Sequence, residues 1–197
     1  MSTKLTRKEK IALQKESGTF SPKEIKKQEN KQKSLKTFLA LALAALAFIM
    51  YVSTIGHDYV LDDFGLIKDN TQTKKGVSAI PDIFKSSYRY GMNIVDYTLY
   101  RPLTKAMFAV EWQIAPNNPA FGHFINIILF ALTAVVLFKV LSKYLNGQLI
   151  LPFLTTLLFV FHPIHAEVVS NIKSRDEIMT LLLCLLSAGA FYDWIKE

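Results

Sequence analysis

Asp62 and Asp63 stand side by side in "YVLDDFGLI", Tyr59 to Ile67, two carboxylates inside an otherwise apolar run. The run begins a few residues after a long uncharged segment. A second charged group is Arg101, in "YRPL". A third is "HPIHAEVVSNIKSRDE", which carries His162, His165, Glu167, Lys173, Arg175, Asp176 and Glu177. Charges at a membrane boundary are costly unless they stay wet, pair, or serve a site. For Asp62 and Asp63 the plain alternative is a turn of solvated acids, but Val60, Leu61 and Phe64 argue against an exposed turn. Two histidines three apart with a carboxylate invite a zinc reading. A metalloprotease helix, however, needs H-E-x-x-H, and Pro163 interrupts helical geometry. Helix-end capping and interfacial hydrogen bonding are the ordinary roles for such histidines. The single Cys184 leaves no internal disulfide and no multi-cysteine metal site.

The elements that must position these groups follow from composition. Of 197 residues, 51% are hydrophobic and 20% charged, and the charges lie in blocks between long uncharged runs. Mean hydropathy is +0.24. This pattern predicts an all-α integral membrane protein rather than a soluble core. Residues 1–36 form a Lys-rich tail without useful apolar periodicity, expected to be disordered or transiently helical and to lie inside by the positive-inside rule. That tail supplies most of the net charge of +7, so the charge alone says little about partners. Contact with nucleic acid or anionic lipid is the functional alternative, and a plain inner tail with no nucleic-acid partner is the favoured reading.

Four spans are expected, near 37–56, 119–141, 148–164 and 178–195, with both termini inside. The first is too long, and its tail too extended, for a signal peptide. Asn118 and Pro119 supply an N-cap and a first helical residue for the second. Lys139 and Lys143 mark the inner loop that follows it. The outer segment, 57–118, is expected to hold interfacial helices. "SAIPDIFKSSY" would set Ile80, Ile83 and Phe84 on one face. "RPLTKAMFAVEWQIA" starts at Pro102 and repeats Leu103, Met107, Val110 and Ile114 at helical spacing. A small external helical domain is the alternative.

In this frame the sequence resembles the GT-C membrane glycosyltransferases, specifically the protein O-mannosyltransferase-like group that includes the transmembrane and TPR-repeat proteins. The resemblance rests on "YVLDDFGLI" after the first span and on "YRPL", Tyr100 to Leu103. It also rests on "FGHFIN" with His123 and Asn126, and on "HPIHAE" followed by Ile172, Arg175 and Glu177. Where that group often has a second histidine, this chain has Phe130. Asp176 is an extra acid between Arg175 and Glu177.

The resemblance implies inverting transfer of a sugar, usually mannose, from a polyprenyl-phosphate carrier to protein Ser/Thr on the outer face. A bacterial inner membrane is expected in preference to the endoplasmic reticulum. Asp62 would be the base, with Asp63 orienting it or binding the acceptor. Arg101 and Arg175 would offset the phosphate charge. His162 and His165 would line the substrate site, and Glu167 and Glu177 would orient the arginines or hold a divalent metal. Partners would be the lipid-linked donor, an acceptor protein, membrane lipids, and a missing C-terminal part or partner subunit. The competing reading is a non-catalytic membrane scaffold or a fragment that keeps the N-terminal helices.

Overall fold

The computed structural model describes residues 22–92 and 98–196. Among these residues the ordered elements are all helices and tight helical turns, without a strand. Three helical stretches are long and apolar enough to cross a membrane: Lys23–Gly56, Pro119–Tyr144 and Ile172–Lys196. The chain is an all-α membrane protein.

Helix α1 covers Pro22–Tyr51. Proline at the start needs no partner for the amide it lacks, and Glu24 in the first turn suits the positive helix end. The tail expected to be disordered or transiently helical is helical from Pro22, because Lys, Glu and Gln are good helix formers and join directly to the Ala/Leu run. The rest of that expectation, 1–21, lies outside the described residues. A short α2, Ile80–Ile83, precedes α3, Pro102–Ile114. Helix α4, Pro119–Tyr144, starts as its cap predicts, with the Phe121 amide donating to Asn118 Oδ1 at 3.4 Å. Helix α5, Ile150–Phe161, has 12 residues, or about 18 Å of rise. It is shorter than the third span expected over 148–164, because the extended backbone of His162, just before Pro163, ends it. Helix α6, His165–Ser170, and α7, Arg175–Lys196, follow.

The chain divides into two compact units. One comprises the described part of Met1–Ala47 with Ala131–His162 and Leu182–Glu197. Its core is Ala40, Leu43 and Phe138, with Leu149, Phe153 and Leu157 of the α5 segment packed against them. Tyr144 Oη donates to the Ala188 carbonyl at 3.0 Å, and Lys143 Nζ lies 2.6 Å from Asp193 Oδ2.

The other unit comprises Phe48–Phe130 and Pro163–Leu181. Tyr59, Leu66, Ile67, Tyr88, Phe108 and Ile172 form its main core, and Ala79, Ile83, Ala106 and Ala109 a second. Phe84 does not join Ile83 there: the turn after Ile83 leaves it exposed. Asn70 fastens the loops, accepting from the Gln72 and Thr73 amides at 3.0 Å each and donating to the carbonyls of Gly65 and Tyr90. The buried face of α3 is Thr104, Lys105, Ala106, Phe108 and Ala109. The apolar stripe expected to define this helix runs along its other side, with Leu103 and Ile114 exposed. Small alanines at 106 and 109 allow close packing inward around Phe108, and Leu103 and Ile114 face out.

Candidate active site

Every group in the following arrangement belongs to the second unit. The chain leaves α1 through a short 3₁₀ turn, Val52–Gly56, and reaches Leu61, whose φ of 46° is left-handed. A leucine there carries strain, roughly 1–2 kcal/mol, and it is 79% exposed. The kink sends the next two side chains to opposite fates. Asp63 is fully buried. Its Oδ2 accepts from the Val60 amide at 3.1 Å and its Oδ1 from the Lys173 amide at 2.7 Å. Asp62 stays exposed, with its carboxylate 3.9 Å from Lys173 Nζ. Asp63 thus clamps the turn through the Lys173 backbone amide, while Asp62 only faces the Lys173 ammonium from solvent. The turn of wholly solvated acids is half right: one acid is wet and the other is a staple.

Burial raises the Asp63 carboxyl above the ordinary carboxylate range, although the amides of Val60, Lys173 and Ile172 pull the other way. The Tyr59 phenol beneath it is pushed up to about 12, first by burial and then by the Asp63 charge.

Arg101 pairs with Asp176, which sits in the first turn of α7. Its guanidinium lies 5.7 Å from the centre of the Tyr88 ring. The Tyr88 hydroxyl is buried without a hydrogen-bond partner. Burial raises its pKa, with Asp176, Arg101, Arg175 and Asp62 all close enough to act on it electrostatically. Tyr88 is therefore the neutral donor in the middle of the charged groups.

Arg175 has a different place from the one expected. It is fully buried, stacked over Phe108 at 4.9 Å, and forms a two-pronged ion pair with Glu111. It also donates to Asn126 Oδ1 at 2.8 Å and the Gly122 carbonyl at 3.0 Å. These contacts commit the guanidinium to protein groups, so its geometry is that of a tie between α3, α4 and α7 rather than a phosphate contact. Asn126 completes the tie by donating to the Asn171 carbonyl at 2.9 Å. Gly122 is where α4 passes closest: a Cβ there would lie 2.9 Å from Ile172 Cγ2. Glu111 itself is pushed up by burial, against the lowering influence of Arg175.

The remaining expected residues are not drawn into one cluster. Glu167 and Glu177 are exposed. His165 packs its ring 5.6 Å from Phe130, the position where a second histidine was expected, and Phe130 in turn meets Tyr51. His162 falls in the other unit. His123 is buried against His57, its ring nitrogens without a hydrogen bond of ordinary geometry. Among the described residues no group of three or more His, Cys, Asp or Glu is placed to hold a metal ion. The expected carboxylate metal site from Glu167 and Glu177 therefore has no supporting geometry.

Three residues carry more of the arrangement than their sequence context announced: Glu111, Asp176 and Tyr88. Glu111 had a readable signal, being a lone acid in the apolar run "AMFAVEWQIA".

The fold and these groups define a multi-pass α-helical membrane protein with a wet acid and cations gathered in one unit. Comparison with known proteins narrows that class. The chain is 31% identical over 151 residues to mouse protein O-mannosyl-transferase TMTC1, covering 75% of this chain and 16% of that protein. It is 32% identical over 150 residues to human protein O-mannosyl-transferase TMTC2, covering 75% and 18%. It is 29% identical over 186 residues to the Caenorhabditis elegans protein O-mannosyl-transferase F38B6.6, covering 91% and 25%. The chain thus spans about a sixth to a quarter of the length of these relatives. They are animal proteins, so the similarity lends no support to the expected bacterial setting. No family model and no solved structure matches.

Proposed function

We propose that the protein transfers mannose from a polyprenyl-phosphate carrier to Ser or Thr hydroxyls of an acceptor protein, with inversion at the anomeric carbon. The observation that carries this reading is the split of the acid pair. Strain at Leu61 holds Asp62 out in solvent while Asp63 is fastened beneath it. Strained residues tend to persist where the surroundings enforce them for function.

Asp62 takes the proton from the acceptor hydroxyl as its oxygen attacks the anomeric carbon. The bond from that carbon to the phosphate oxygen breaks, and the polyprenyl phosphate leaves. Arg101 is partly exposed and pairs with Asp176, which makes it the cation suited to the phosphate. Lys173, held by Asp63 beside Asp62, is the second. The Tyr88 hydroxyl, buried without a partner among the described residues and with Arg101 over its ring, adds a neutral donor to this layer. Arg175 positions this layer through Glu111 and Asn126 rather than touching substrate. The exposed apolar stripe of α3, Leu103 to Ile114, suits a helix lying at the membrane interface where a lipid-linked donor arrives. The donor and acceptor meet on the outer face, with the Lys-rich start of α1 inside.

The test is transfer of labelled mannose from polyprenyl-phosphate-mannose to a Ser/Thr peptide by membranes containing the protein. Labelled peptide is the expected product, and Arg101→Lys should reduce it more than tenfold by losing the two-pronged contact. No transfer from this donor, with transfer from a nucleotide-linked sugar instead, would refute the donor class. A non-catalytic scaffold would give neither.

A further inference from the structure

A second charged feature belongs to the other unit and includes the Lys143–Asp193 pair. A groove of about 720 Å³ runs between the segments of α1, α4 and α7. Its lining comes from each helix at helical spacing. Helix α1 gives Lys33 and Lys36, and α4 gives Lys139 and Lys143. Helix α7 gives Gly189, where a Cβ would come to 3.3 Å from Val140 Cγ2, and Asp193. The walls are otherwise largely apolar, including Val136 and Leu186.

Two features fix the level of the groove along the helices. Lys33 and Lys36 come just before the uncharged run that begins at Thr37, and Lys139 and Lys143 occupy the last turns of α4. Both pairs mark the depth at which hydrocarbon gives way to headgroups. Among the described residues that line the groove, Lys33 and Lys139 come from two helices, and the one acid, Asp193, is paired with Lys143 at 2.6 Å. Ordinary inner-loop lysines would point away separately into water; these converge from two helices on one concave surface. The volume lies within the range of about 300–1,000 Å³ usual for small-molecule sites.

We propose that this groove binds an anionic phospholipid, its phosphate against Lys33 and Lys139 and its acyl chains along the apolar wall. Basic recesses between membrane helices are suited to such headgroups, each lysine contributing about fivefold in affinity. Asp193 competes with the phosphate for Lys143 and limits the site. The inference depends only on membrane insertion of these helices, not on sugar transfer.

Native mass spectrometry of the purified protein, with phosphatidylglycerol or phosphatidylcholine added, tests it. Preferential retention of phosphatidylglycerol is expected, falling roughly thirtyfold in Lys33→Gln/Lys139→Gln and not in the control Lys85→Gln. Asp193→Asn should raise retention. Equal retention of both lipids, equal loss in the control, or no gain in Asp193→Asn would overturn the proposal. Displacement of the lipid by inorganic phosphate would also overturn it, assigning the groove to a soluble anion instead.

Discussion

Glu111→Gln should destabilise the second unit severely while removing only one charge. The side chain keeps its size, so any loss reports on Arg175. That guanidinium is wholly buried and has four hydrogen bonds, two of them to Glu111. With Gln in place, the neutral contacts to Asn126 and Gly122 remain and nothing offsets the positive charge. Breaking a buried pair in this way costs about 3–5 kcal/mol. Against a typical total of about 5–15 kcal/mol, that is a large share. Chemical denaturation in detergent micelles, followed through Trp112, which is packed against the same core, would measure it. Adding Arg175→Met should recover most of the loss, because it removes the buried charge that Gln leaves uncompensated. A change below about 0.5 kcal/mol in the single variant, the scale of a surface substitution, would refute the view that Arg175 depends on Glu111. So would a double variant worse than the single.

Leu61→Gly should stabilise the fold by about 1 kcal/mol by accepting the left-handed backbone freely, yet lower sugar transfer by loosening Asp62. Equal transfer would show that the strain serves nothing. Lys105 is buried, donates to the Tyr90 carbonyl at 2.5 Å, and has its pKa lowered by burial to about 8. The folded protein therefore holds this proton less tightly than the unfolded chain. Stability from this group should rise as pH increases from about 8 toward 10.5, the ordinary lysine value, and be lost as pH falls through about 8. Lys105→Met should flatten the melting-temperature profile over that window. Gly122→Ala should cost about 1–3 kcal/mol in denaturation, since its Cβ would press on Ile172.

The helices and the paired acids were legible because local chemistry writes them. Asn118 and Pro119 announce α4, the uncharged runs announce the long apolar helices, and Asp62–Asp63 is conspicuous in an apolar setting. What stayed hidden was pairing over distance. Arg175 and Glu111 are 64 residues apart, and Asp63 and Lys173 are 110 apart. No short-range period encodes such contacts, so Arg175 read as a phosphate ligand when its donors are already engaged. The stripe on α3 misled for another reason. Periodicity finds the apolar side of a helix, but next to a membrane that side can face out. Alanines at 106 and 109 made the inward face inconspicuous.

The central claim is that Asp62 is the base and Asp63 its support. Asp62→Asn keeps size and hydrogen bonding but cannot accept the acceptor proton. Transfer of mannose from polyprenyl-phosphate-mannose to a Ser/Thr peptide should fall by about 10²–10⁴-fold, with membrane insertion and melting temperature unchanged, because Asp62 is exposed and its contact with Lys173 is 3.9 Å. Wild-type transfer by Asp62→Asn would contradict the account.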